Sequence, residues 1–174
     1  MKDILTAITQ RRSVRSFGRK KIAPQDIKKI LEAGRWAPSG LNNQPWRFLV
    51  IDDDKRRDGV AAFTKYGSVI RRAAAVLIVC MDTADSYNRE KDLMALGAAI
   101  QNMLLEAQDL GIGSCWLGEI LNKKKEVAAF LKLNADLDFL AAVALGYPEG
   151  KTAKGCRKPL QQLMIVHEKK DSRC

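Results

Sequence analysis

Two short stretches hold residue types that could do chemistry. Residues 11–15, RRSVR, place three guanidinium groups and a hydroxyl in five positions: Arg11, Arg12, Ser13 and Arg15. Such a set suits a phosphate monoester, because a guanidinium offers two parallel hydrogen bonds to paired oxygens. The same residues would also serve as a basic helix end turned to carbonyls or solvent. Residues 35–51, RWAPSGLNNQPWRFLVI, set one hydroxyl and three amides within six positions: Ser39, Asn42, Asn43 and Gln44. Pro38 and Pro45 hold φ at about −65° on either side, and Gly40 allows turns that other residues resist. A polar loop stiffened in this way and flanked by Trp36 and Trp46 suits hydrogen-bonding the edge of a flat heterocycle. It would equally suit a solvated connector whose amides satisfy its own backbone.

In this order, the two stretches resemble the FMN-dependent nitroreductase family. That family carries R-x-S-x-R/K after its first helix and A/S-P-S-x-x-N-x-Q-P-W further along. Here the second motif reads Ala37, Pro38, Ser39, Gly40, Leu41, Asn42, Asn43, Gln44, Pro45, Trp46. The resemblance implies that Arg11, Ser13 and Arg15, with Arg12 beside them, bind the flavin phosphate and ribityl chain. It implies that Pro38, Ser39, Gly40, Asn42 and Gln44 line the flavin from the partner subunit, although Gly40 stands where the family often has a second serine. Residues 114–118, SCWLG, match the segment whose backbone passes the reactive edge of the isoalloxazine ring, at Trp116, Leu117 and Gly118. Arg157, with Lys158 beside it, matches a basic residue near the C-terminus that also reaches the phosphate.

The implied fold is α+β, with helices around a mixed or antiparallel sheet, in a homodimer carrying FMN at its interface. The implied activity is reduction of nitroaromatics, quinones or related small-molecule acceptors with NAD(P)H, by ping-pong turnover. A flavin-storing or regulatory protein without fast turnover would carry the same motifs, and other flavin reactions also occur in the family. No side chain is expected to be indispensable as a proton donor or nucleophile.

Composition narrows the alternatives. The 174 residues are enough for one domain with a substantial core, expected to span 1–174. Hydrophobic residues at 47% and charged residues at 29% describe a globular chain, not a disordered one. No apolar run is long enough to span a membrane, and the first residues lack the apolar core of a signal peptide, so a cytoplasmic protein is expected. The net charge of +10 sits largely in short runs such as 19–21 and 123–125, read as solvated, and no nucleic-acid-binding module is legible. Cys80, Cys115, Cys156 and Cys174 are scattered in a spacing poor for metal ligation, and no metal site is expected. Cys80 and Cys115 are read as structural. The only histidine, His167, reads as a surface or strand-end residue.

The elements that must position the two motifs follow from periodicity. A short helix is expected over 3–10, and a second beginning near Pro24 with Ile27, Ile30 and Leu31 on one face. Strands are expected at 47–51, 73–81, 114–118 and 137–145, the second so apolar that it must be central. The acidic run 52–54 favours a helix start. A long helix is expected through Leu93, Leu96, Ile100, Met103, Leu104 and Ala107, ending at Gly111. Asn122 is expected to cap a helix through Leu131 that buries Val127, Phe130 and Leu131, and the tail 160–167 to be partly extended. Gly111-Ile112-Gly113 is no dinucleotide fingerprint, since it follows a helix instead of a strand.

Overall fold

The apolar run at 73–81 becomes the middle of a sheet that has four strands among the described residues. The structure, a computed structural model, describes residues 3–150, 152 and 154–165. Strand β2 (Ala75–Asp82) lies between β1 (Trp46–Ile51) and β4 (Leu137–Gly146), and β3 (Gly113–Leu117) pairs with the other side of β4. All three pairings are antiparallel. The parallel element admitted by a mixed sheet is reduced to a single bridge between Ser13 and Ser114.

Side chains of β2 alternate between two cores. Val76, Ile78 and Cys80 enter one, with helices α3 (Asp54–Ala61), α4 (Gly67–Arg72) and α6 (Lys124–Leu131) over them. Leu77, Val79 and Met81 enter the other, beneath α2 (Pro24–Arg35) and α5 (Arg89–Asp109). Because both faces are covered, the strand reads as one apolar run although its neighbours are antiparallel. Burial pushes the Cys80 thiol up to about 12, so it packs as a neutral core residue.

Local chemistry explains the element ends. Asp3 precedes α1 (Ile4–Gln10), and its carboxylate accepts from Thr6 N at 3.1 Å. Pro24 occupies the first turn of α2, and Asp53 caps α3 by accepting from Arg56 N at 2.7 Å. Asn88 caps α5 in the same way, accepting from Lys91 N at 3.1 Å. At the other end Gly111 adopts φ 72°, the left-handed conformation that suits a residue without a β-carbon. α2 approaches α5 closely at Gly34, where a β-carbon would fall 2.7 Å from Met103 Cγ.

Several expectations are corrected. Asn122 does not cap α6: it lies in a 3₁₀ turn, Glu119–Lys123, and α6 starts without a side-chain cap. The turn is held instead by Glu119, which accepts from Thr64 Oγ1 at 2.6 Å and Lys65 N at 3.0 Å. Phe130 remains 42% exposed because α6 turns it toward Phe63, ring centroid to ring centroid 5.7 Å, at the edge of the core. Helix α4 has only six residues, too short to leave a periodic signal. Lys124, in a run read as solvated, pairs with Asp138 at the start of β4. Leu160–Leu163 forms a 3₁₀ turn, with Met164 extended after it. His167 and Cys174 lie outside the described residues.

Candidate functional site

After α1 the RRSVR stretch becomes extended and runs beside β3. Val14 N donates to Ser114 O at 2.9 Å, and the Val14 side chain is buried against Gly113. This anchoring leaves Ser13 and Arg15 exposed and Arg11 and Arg12 partly buried. Residues 154–157 return to the same place, with Gly155 seated against the Arg12 guanidinium. Burial first, then the charges of Arg157 and Arg12, hold the Arg11 guanidinium below its ordinary pKa. Among the described residues no carboxylate stands within ion-pair distance of Arg11, Arg12, Arg15 or Arg157. A partly desolvated cationic cluster that meets no anion among the described residues fits a phosphate group. Arg12 is the least free of the four, since its Nη1 donates to Thr9 O at 2.6 Å and Arg11 O at 2.8 Å, closing the end of α1.

The neighbouring SCWLG stretch presents backbone more than side chains. Leu117 is in the core, Trp116 is 44% exposed, and a β-carbon on Gly118 would meet open space. Cys115 is buried, and its thiol is pushed up by that burial, which outweighs the lowering effect of Arg15 and Arg11. It is therefore a protonated thiol at neutral pH, without the thiolate character a nucleophile needs.

The polar loop is built differently from its sequence appearance. Its left-handed residues are Leu41 (φ 54°), Asn42 (φ 54°) and Gln44 (φ 48°), not Gly40. Gly40 instead leaves room for the tip of the half-exposed Tyr87 side chain, whose hydroxyl stands where a β-carbon would fall. Ser39 Oγ accepts from Gln44 N at 3.0 Å, and Gln44 Nε2 donates to Asn42 O at 3.1 Å. Asn43 reaches outward from the loop to Asp85 O at 3.0 Å and to Asp92 Oδ1 at 2.8 Å. Asp92 is fully buried and also accepts from Ser86 Oγ at 2.7 Å and from the Tyr87 and Asn88 N–H groups. Burial raises the pKa of this carboxyl, but the hydrogen bonds from Ser86, Asn43, Asn88 and Tyr87 outweigh it and leave the pKa below the ordinary value. Three left-handed non-glycine residues in a row of four are costly, and this network supplies the constraint that holds them. Of the two flanking tryptophans, Trp46 enters the core and Trp36 is 73% exposed, its Nε1 donating to Glu32 at 2.8 Å.

The structure brings Arg11, Ser13, Arg15, Arg157 and residues 116–118 to one sheet edge, beside β3. Pro38, Ser39, Gly40, Asn42 and Gln44 stand before β1, which is the opposite edge. Three strand spacings, about 14 Å, separate β1 from β3. No hydrogen bond, ion pair or ring contact among the described residues links the two groups.

Comparison with known proteins gives this arrangement a family. The sequence profile of the Nitroreductase family matches residues 8–68 and 59–147. The chain belongs to the nitroreductase family. A Desulfovibrio desulfuricans protein described as a nitroreductase and solved in complex with FMN superimposes with a TM-score of 0.92, at 46% identity over 96% of this chain and 98% of that one. A protein of Archaeoglobus fulgidus named as an NADH dehydrogenase or NAD(P)H nitroreductase is 35% identical over 152 residues, covering 86% of this chain and 87% of its own. A similarly named protein of Methanothermobacter thermautotrophicus is 28% identical over 148 residues, covering 84% of this chain and 78% of its own.

Asn43 and Asp92 are the residues that reading the sequence of this nitroreductase-family chain did not single out for a site role. Asn43 stood in the motif without an assigned partner, and Asp92 reads as an ordinary acidic residue in the first turn of α5. Its full burial and the four donors that converge on it mark it out, and neither is written in local sequence. Among the described residues no cluster of His, Cys, Asp and Glu could hold a metal ion, and no helix is long and apolar enough to cross a membrane.

Proposed function

We propose that the chain is a cytoplasmic FMN-dependent oxidoreductase that uses NAD(P)H to reduce a nitroaromatic, a quinone or a related small acceptor. It acts as one FMN-binding domain in each half of a homodimer. The observation that carries this reading is the Arg11, Arg15 and Arg157 cluster at the β3 edge, which has no carboxylate within ion-pair distance among the described residues. Bound FMN supplies the two-electron redox chemistry. The chain supplies binding, orientation and charge.

Arg11, Ser13, Arg15 and Arg157 hold the phosphate and ribityl chain, with Arg12 fixing the helix end beside them. The backbone of Trp116, Leu117 and Gly118 would offer N–H groups to the edge of the ring, and the positive charge beside them would favour a reduced, anionic flavin. Pro38, Ser39, Gly40, Asn42 and Gln44 come from the partner, because in their own chain they stand at the other edge of the sheet. Exposed apolar residues supply the surface for that pairing: Ile4, Leu5, Trp36, Leu41 and Met94 are each at least 64% exposed. No side chain here has the base or the lowered pKa of a nucleophile, so the nicotinamide and the acceptor use the same open face in turn.

The test is a visible spectrum of the purified protein, followed by titration with NADH and NADPH. One FMN per chain, bleached by at least one nicotinamide and restored by a quinone or nitroaromatic, is the expected result. A protein that takes up another cofactor stoichiometrically but not FMN would end the reading. Bound FMN with no nicotinamide oxidation, whatever the acceptor, would make it a flavin-binding protein and not a reductase.

A further inference from the structure

One large cavity among the described residues lies away from both the β3 edge and the polar loop. It has a volume of about 770 Å³ and lies where the chain enters α2, α3 and β2. Its lining includes Arg19, Lys21, Arg57, Arg71 and Arg72 against Asp52, Asp54 and Glu149, an excess of two positive charges. Arg19 and Lys21 belong to the run 19–21 that the sequence presents as solvated, and the flavin reading leaves the whole set without a role.

The cavity is built, not merely charged. Arg57 is only 8% exposed and forms its floor. It donates to Asp52 O at 3.0 Å and to Ala74 O at 3.4 Å, and pairs with Asp54 at 2.5 Å. Its charge is thus met by Asp54, but its Nε is buried without a hydrogen-bond partner among the described residues, so the floor keeps one unsatisfied donor. The wall carrying Arg19 and Lys21 is fixed by its backbone. Phe17 is 2% exposed and bridges Pro148, Gly18 N donates to Tyr147 O at 2.9 Å, and Glu149 N donates to Ser16 O at 3.0 Å. On the facing side, Arg72 is paired with Glu149 at 2.6 Å, and Arg71 has Asp58 only at 3.9 Å. Arg19 and Lys21 have no acidic partner among the described residues.

We propose that this cavity is a second anion site, separate from the flavin phosphate site, that takes a small ligand bearing a diphosphate. Arg19, Lys21 and Arg71 hold its oxygens above Arg57, whose buried Nε is the donor left without a partner. A volume of this size accepts a drug-sized ligand, and its positive lining selects against neutral ones. A diphosphate suits the geometry better than a single phosphate because Arg19 and Lys21 stand on one wall and Arg71, with Asp58 only at 3.9 Å, stands on the other.

The experiment titrates the FMN-saturated protein with inorganic pyrophosphate by calorimetry, at fixed ionic strength so that screening is constant. Saturable binding of one pyrophosphate per chain is expected. The double variant Arg19→Ala/Lys21→Ala should weaken it about tenfold, the effect of losing charge-assisted hydrogen bonds. The control Lys123→Ala/Lys125→Ala, which removes the same charge elsewhere, should leave it unchanged. All four side chains are surface groups, and a thermal melt checks that both variants remain folded. Absence of saturable binding, or equal loss in the control, would overturn the proposal. So would a pyrophosphate site that Arg11→Ala abolishes and Arg19→Ala/Lys21→Ala does not, since the anion would then belong to the β3-edge cluster.

Discussion

The Asn43 side-chain amide donates to the buried Asp92 carboxylate at 2.8 Å, across 49 positions of sequence. This contact ties the left-handed turn at 41–44 to the first turn of α5, so that the orientation of Ser39, Asn42 and Gln44 depends on a residue outside their motif. Replacing Asp92 by Ala leaves the Asn43 and Ser86 donors and two backbone N–H groups without an acceptor. A loss of about 2–4 kcal/mol in unfolding free energy is expected, read from urea melts. Asp92→Asn keeps the shape and part of the bonding, and should fall between the two.

The same carboxylate sets an acid limit. Its folded pKa is depressed, so its contribution is complete above the ordinary carboxylate value of about 4 and is lost as pH falls through the lower folded value. Stability of the parent protein should therefore decline below about pH 4 more steeply than that of Asp92→Asn. Parallel stability–pH curves for the two proteins would show that the shift has another source.

Charge at the β3 edge should matter more than charge elsewhere. Arg11→Ala or Arg15→Ala is expected to weaken FMN binding by about 1.5–3 kcal/mol, the worth of a charge-assisted hydrogen bond. Lys123, exposed and already beside Glu126, should have almost no effect when replaced. Fluorescence titration of the apoprotein with FMN measures both, and equal affinities would contradict the phosphate assignment.

The site should need two chains. Sedimentation is expected to give a dimer, and Leu41→Glu or Met94→Glu, at side chains 85% and 74% exposed, should weaken it without unfolding the monomer. FMN should be lost together with the dimer. A sub-micromolar monomer that keeps FMN and activity would refute the shared site.

Cys115 should prove dispensable. Its protonated, buried thiol has no adjacent base, so Cys115→Ala is expected to keep substantial activity with parallel initial-rate plots. A Cys115→Ala protein that binds FMN but is not reduced by a nicotinamide would overturn a mechanism without an essential side chain. Intersecting plots would exclude simple alternation of the two substrates at one face.

Local order was legible from residues alone. The Pro24 start of α2, the apolar spacing of α5, its Gly111 end and the buried character of β2 all depend on neighbours a few positions away. For the same reason the RRSVR and APSGLNNQPW motifs were recognisable, because their residue types stand in short, contiguous runs. Tertiary structure decided what those runs do. It buried Asp92 and gave it to Asn43, turned Phe130 outward, used Gly40 for the Tyr87 hydroxyl and seated Gly155 on Arg12. It also placed the two motifs at opposite edges of the sheet. Each of these depends on which distant segment arrives at a given face, and that is set by strand order and packing of the whole chain, not by the spacing of residues along it.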